Sequence, residues 1–416
     1  MSIDEIKSQI AIGPFGSRMK SDCYVSKGIK VVRGTNLTNG RGLSGEFVFI
    51  TPEKAVELGS SNLAPGDLVF PHRGSIGEVG IIPDDGNKYV LSSSLMKLTC
   101  HQEKADPNFI FYFFKSSIGR HELLKNASQV GTPGIGQPLT SLKSIKLKLP
   151  SLAEQKTIAE ILKALDDRIA ALRETNLSLE SIAQTLFKSW FIDFDPVRAK
   201  AEAREPEGMD AETAALFPDD FEESCLDTIP KGWKFTSLGE VSSYINRGIS
   251  PKYTENVGIT VINQKCIRDN IVDLTKARKH DSVQRKVEGR ELLVGDVLIN
   301  STGVGTLGRV AQILSIDEPL IVDSHVTVVR AGESLTWNYL GLALSNRQAE
   351  IEQLGEGSTG QTELSRAKLA KLKFIIPMYE ILQAFDLYTL SLRNKFSANL
   401  KKLKLLQPCV IHYCHV

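Results

Sequence analysis

Two stretches of this chain repeat one another at a distance of over 200 residues, and that duplication limits the fold more than any other feature. Leu63-Ala-Pro-Gly-Asp-Leu-Val-Phe70 reads like Leu292-Leu-Val-Gly-Asp-Val-Leu-Ile299, each a Gly-Asp turn leading into a β-rich apolar run. Gly74-Ser-Ile-Gly77 matches Gly305-Thr-Leu-Gly308, and Gly28-Ile-Lys-Val-Val matches Gly258-Ile-Thr-Val-Ile. Val90-Leu-Ser-Ser-Ser-Leu likewise matches Ile321-Val-Asp-Ser-His-Val. Two copies at so long a period mean a duplicated module, not a solenoid. Each copy reads as short strands between Gly, Pro, Asn and Asp turns, with helix candidates at 107–117 and 334–348.

A helical segment follows each β-rich copy. After Pro150, Ile158, Leu165, Leu172, Leu179 and Leu186 recur every seven residues, interleaved with Leu162, Ile169, Asn176, Ala183 and Trp190. That pattern predicts a coiled-coil helix over 152–191, a rod of roughly 60 Å at about 1.5 Å per residue. After Pro377 a less regular seam holds Phe385, Leu392, Asn399 and Leu406, with Leu382, Phe396, Leu403 and a weak Thr389 beside it. Asn176 and Asn399 are the clearest polar intrusions. A buried Asn is costly without a partner, so an antiparallel register facing 176 with 399 is expected. That register sets Trp190 near Phe385 and Leu186 near Thr389.

Of 416 residues, 50 are Lys or Arg and 49 Asp or Glu, a net charge of +1. The total hides a partition: residues 1–150 carry +5, 151–230 carry −10, 231–377 carry +3 and 378–416 carry +3. Local basic surface is what phosphate attraction needs, so a nucleic-acid partner stays open. No run approaches the roughly 18 apolar residues of a membrane span. The opening MSIDEIKSQI lacks a secretory pattern, and six scattered cysteines suit a reducing compartment, so a soluble cytoplasmic protein with no membrane partner is expected.

Gly-Pro-Phe-Gly-Ser (13–17), Val-Val-Arg-Gly-Thr-Asn-Leu (31–37), Pro150-Ser-Leu-Ala-Glu-Gln155, Phe187-Lys-Ser-Trp-Phe-Ile-Asp-Phe-Asp-Pro196, Ile229-Pro-Lys-Gly-Trp233 and Ser358-Thr-Gly-Gln361 occur in that order. Their order and the duplication resemble the specificity subunit of type I restriction-modification systems, over nearly the whole chain. The resemblance implies an α+β fold with a pseudo-twofold. Two similar β-rich target-recognition domains are separated by two long antiparallel coiled-coil helices. It implies a non-catalytic subunit that reads a bipartite site in double-stranded DNA, with methyltransferase subunits and a restriction or motor subunit as partners. The expected divisions are recognition domain 1 (1–150), spacer helix 1 (151–192), an acidic surface linker (193–229), recognition domain 2 (230–377), spacer helix 2 (378–407) and a tail (408–416). Within the linker, a helix is expected at 199–205.

Arg pairs bidentately with guanine and Asn or Gln with adenine, which selects the DNA-binding candidates. In the first copy these are Arg18, Lys20, Arg33, Asn36, His72, Arg73 and Gln137. In the second they are Arg247, Asn263, Lys265, Asn300, Ser301, Thr302, Arg309, His325 and Gln361. Gly303-Val-Gly-Thr-Leu-Gly308 satisfies G-x-G-x-x-G, but the residues after it read as a strand, so a β-turn is expected and not a dinucleotide site. The Cys409-Val-Ile-His-Tyr-Cys414-His tail is too cramped for a four-ligand metal site, so no metal is expected. No phosphate loop and no Asn-Pro-Pro-Phe motif is present. No cofactor or catalytic residue is therefore assigned. A methyltransferase or nuclease with an unrecognised site, or a coiled-coil scaffold with two protein-binding modules, are the competing readings.

Overall fold

The computed structural model describes residues 1–15, 18–37, 40–128, 132–224, 228–357 and 362–412. The chain divides into two compact units, residues 1–174 with 401–416 and residues 175–400.

In the first unit, four antiparallel strands run in the order Lys7–Ile12, Leu95–Cys100, Leu68–Pro71, Gly80–Ile81. A second sheet runs Val48–Ile50, Ile29–Val32, Tyr89–Leu91, Asn62–Leu63, and its central pair is parallel. The second unit repeats the first plan strand for strand, as Ser242–Arg247, Val326–Ala331, Val297–Asn300, Val310–Gln312. Its other sheet also holds a parallel pair, Ile259–Ile262 beside Leu320–Val322. All four residues of Leu68–Pro71 and of Val297–Asn300 are buried, as expected for strands covered on both faces. Each pair of sheets is followed by two helices, Pro107–Lys115 with Ser117–Leu124 and Trp337–Asn346 with Gln348–Gln353.

The Gly-Asp turn shows why the duplication survives in both sequences. Gly66 (φ +85°) and Gly295 (φ +96°) lie in the left-handed region, and a Cβ on Gly295 would sit 2.7 Å from Trp337 Cβ. The aspartate that follows is buried, and its carboxylate accepts a turn N–H: Ala64 at 2.9 Å in one copy and Leu293 at 2.8 Å in the other. The counter-charge comes from different places. Asp67 accepts Thr99 Oγ1 at 2.5 Å and lies 3.4 Å from the buried Lys97 ammonium. Asp296 takes a two-pronged Arg330, at 2.6 and 2.7 Å.

The long helices run Leu152–Phe191 and Tyr379–His412, each contributing to both units. Ser151 and Glu154 form a reciprocal cap at the start of the first. In the first unit Leu162, Ile169 and Leu172 are buried, whereas Ile158 and Leu165 are only half-buried. In the second unit Asn176, Ala183 and Trp190 are buried, while Leu179 and Leu186 are half-buried. The row through Leu162 and Trp190 is thus the centre of the seam, and the other row is largely its margin. On the second long helix Leu382, Phe385, Thr389, Phe396, Asn399 and Leu403 are buried; Leu392 and Leu406 are half-buried. Asn399 Nδ2 donates to Asn176 Oδ1 at 2.9 Å, and the rings of Trp190 and Phe385 lie 5.5 Å apart.

Arg393 was not anticipated in this seam. It is 7% exposed, donates to Asn338 Oδ1 at 2.8 Å and Gln312 Oε1 at 2.7 Å, and lies 3.7 Å from Glu180. Burial lowers its pKa, opposed by Glu180 and Asp386.

The acidic segment differs from a surface linker. It forms helices Asp195–Ala201 and Ala211–Leu216 and the hairpin Phe221–Glu223 with Thr228–Pro230. Its Phe194, Val197, Phe217 and Ile229 enter the second unit's core, where the ring of Trp190 stands 5.1 Å from that of Phe217. Charge density hid these apolar anchors. The helix expected at 199–205 instead ends at Ala201, two residues before the left-handed Ala203.

Asn399→Ala strands a buried amide, so denaturant unfolding should show a loss of about 1–3 kcal/mol. A double Asn176→Leu, Asn399→Leu variant should recover most of that loss. Asp296→Ala, which leaves the Arg330 guanidinium without its carboxylate, should cost about 3 kcal/mol or more in the same measurement.

Candidate nucleic-acid interface

Polar loops emerge at equivalent places in the two units. In the first, Arg73 bridges Gly134, with Gly74 N donating to Pro133 O and Ile135 N to His72 O, both at 2.9 Å. In the second, Thr302 bridges Glu363, and Leu364 N donates to Ser301 O at 2.8 Å. The same cross-loop stitch therefore brings Arg73 near the segment leading to Gln137, and Thr302 near the segment after 361.

Several candidate side chains are committed to backbone groups. Asn36 is buried; its Oδ1 accepts Arg33 N, and its Nδ2 donates to the carbonyls of Ser44 and Glu46, all at 3.0 Å. Arg33 Nη2 donates to Glu46 O at 2.8 Å. Asn263 caps the turn before Lys265 and donates to Lys276 O. Arg247 pairs with Glu363 and donates to Leu364 O at 2.7 Å. Ser301 is buried against Thr327 Oγ1, 2.5 Å away. Asn300 is fully buried, its Nδ2 donating to Gln264 O at 3.0 Å, while its Oδ1 has no partner among the described residues. These residues shape loops: their side chains hold backbone and neighbouring groups in place.

Others face outward. Arg18, Lys20, Arg73, Gln137, Lys265 and His325 are exposed, and Arg309 is half-buried with Nη2 donating to Gly305 O at 2.8 Å. Gln137 adopts a left-handed conformation, φ +46°, at the start of the helix Pro138–Ser144. Arg309 also lines a polar recess of about 330 Å³ with Arg268, Asp269, Asn270, Ser345 and Gln348. Gln361 lies outside the described residues, as do Cys414 and His415 of the tail. The G-x-G-x-x-G loop leads into the strand Val310–Gln312 and does not open a helix.

His72 is buried, and its Nε2 donates to Ser93 O at 3.1 Å. Burial holds its pKa down, against the opposing pull of that hydrogen bond. Among the described residues no group of three or more His, Cys, Asp or Glu side chains could hold a metal, and no helix is long and apolar enough to cross a membrane.

The family profile described as Type I restriction modification DNA specificity domain matches this chain twice, over residues 12–181 and 230–402. The chain belongs to that family. Each match takes in one β-rich copy together with much of the long helix that follows it. The HindI specificity subunit of Haemophilus influenzae is 25% identical over 386 residues, covering 80% of this chain and 82% of the relative. The MjaIX specificity subunit of Methanocaldococcus jannaschii is 27% identical over 231 residues, covering 53% and 48%. The crystal structure of the type I S subunit from M. genitalium aligns over 99% of this chain and 93% of its own, with a TM-score of 0.59 at 15% identity; it supports the fold.

Sequence reasoning missed Gln264, whose side chain meets Thr302. It lies two residues after the repeated Gly258-Ile-Thr-Val-Ile262, but its partner is 38 residues away, and no local pattern signals that contact.

The depressed His72 pKa has a testable sign. A histidine neutral in the fold but protonated in the unfolded chain disfavours folding below its unfolded pKa of about 6.5. Stability of the wild type should therefore fall from about pH 6.5 downward toward the folded value. Denaturation midpoints of a His72→Gln variant should fall less over the same range.

Proposed function

We propose that this specificity subunit reads a split site in double-stranded DNA, each unit reading one half, with the gap set by the two long helices. Methyltransferase subunits and a restriction or motor subunit act as its partners and carry the chemistry, in the cytoplasm. The observation that supports this most is the repetition of the four-stranded antiparallel sheet, strand for strand, which gives the two units equivalent polar loops. Two copies of one reader suit two half-sites. The curated relatives, named specificity subunits of type I restriction enzymes, point the same way.

Sequence is read at base edges, while Lys and Arg on phosphates fix register. The exposed Arg18, Lys20, Arg73, Gln137, Lys265 and His325 are the side chains we assign to these tasks, with Arg309 beside them. Arg33, Asn36, His72, Arg247, Asn263, Asn300 and Ser301 hold the loops that carry them, and Thr302 orients His325.

Co-expression with methyltransferase subunits, followed by mapping of methylated adenines, tests the reading; a motif of two short blocks around an unread gap is expected. Removing one matched heptad from each long helix shortens each by about 10 Å, or about three base pairs of duplex. The gap should contract by about that much while both half-sites stay unchanged. A single continuous motif, or a gap indifferent to helix length, overturns the proposal.

A further inference from the structure

Thr302 is the middle member of a hydrogen-bonded chain on the second unit's loops. Its hydroxyl donates to Gln264 Oε1 at 3.2 Å and lies 2.8 Å from His325 Nδ1. A threonine hydroxyl has one proton to give. With that proton on Gln264, Thr302 Oγ1 accepts from His325 Nδ1–H, so in the neutral imidazole Nε2 presents a lone pair. His325 is exposed, which leaves that lone pair open to a ligand.

The chain is held in place from behind. The Gln264 carbonyl is fixed by Asn300, and Ser301 N donates to the His325 carbonyl at 2.8 Å. His325 N in turn donates to the buried Asp323 at 2.9 Å. Gly303 at φ +99° lets the following loop fold back; a Cβ there would lie 2.4 Å from Thr306 Oγ1 and 3.1 Å from Gln264 Nε2. The imidazole therefore offers one defined acceptor on a pre-set support.

An acceptor cannot hydrogen-bond a phosphate oxygen, which is itself only an acceptor. In the major groove, the base-edge donors are the exocyclic amines, adenine N6 and cytosine N4. We propose that His325 Nε2 reads one such amine in the half-site of the second unit, with Thr302 and Gln264 as positioning residues that fix its tautomer. The inference rests on the DNA-reading function proposed above and adds the polarity of one contact.

The test uses the full complex with methyltransferase subunits. A wild-type complex that methylates without sequence preference overturns the DNA reading, and this inference with it. Given a split motif, each unmethylated adenine or cytosine is replaced in turn by purine or 2-pyrimidinone, which lack only the amine. At one position of one half-site the wild type should lose about tenfold or more in binding. His325→Ala should start with that loss and show no further loss from the analogue. The analogue that reproduces it tells adenine from cytosine. Thr302→Ser should keep the discrimination and Thr302→Val should weaken it. Three results overturn the proposal: a His325→Ala motif identical at every position, a loss spread evenly over all positions, or a shallower salt dependence with unchanged base preference, which marks a phosphate contact.

Discussion

An amide buried in an apolar seam is expensive unless a second amide faces it, and the Asn176–Asn399 pair meets that condition at one register alone. Sliding either helix by a heptad would set each Asn against a hydrocarbon and leave both unpaired. With the register held, Trp190 reaches Phe385, and Phe187 and Phe191 reach Tyr339 of the β-rich body. The aromatic cluster then gathers Phe217 from the acidic segment and Trp233 from just before the strand Lys234–Ser237. One polar contact thus selects among apolar arrangements that hydrophobic burial by itself cannot rank.

Arg393 does related work six residues before Asn399 on the same helix. A guanidinium is seldom fully buried, and here it spans three partners on different elements: Gln312 on a strand, Asn338 on a short helix and Glu180 on the first long helix. Asn338 also donates to Asp386 and Thr389. A planar fork of donors suits this, because its geometry is satisfied only when all three elements are in place.

Much of this was legible in the sequence, for identifiable reasons. Turns that need positive φ and backbone close approach leave glycines at matching places, so Gly66 and Gly295, or Gly77 and Gly308, announce the duplication. A seven-residue period announces the long helices, and its polar exceptions announced their register. The candidate interface was less legible. Arg33, Asn36 and Arg247 have the chemistry of base readers, yet each holds a backbone carbonyl: Arg33 and Asn36 that of Glu46, and Arg247 that of Leu364. Residue type records what a side chain can bond; which partner arrives first is decided by chain segments far away in sequence. The acidic segment misled for the opposite reason, because a handful of apolar anchors outweighs many solvated carboxylates.

The two copies have drifted apart at the buried Gly-Asp aspartate. Asp67 relies on Lys97 and Thr99, whereas Asp296 relies on Arg330, and the latter occupies the place of Thr99 when the paired strands are superposed on Leu68 and Val297. The modules are alike in plan but not interchangeable in pieces. A crossover that joined the turn of one to the neighbouring strand of the other would combine an aspartate with the wrong set of cations. A chimera would keep this contact only where the turn and its neighbouring strand travel together, that is, where the exchange point lies outside the sheet.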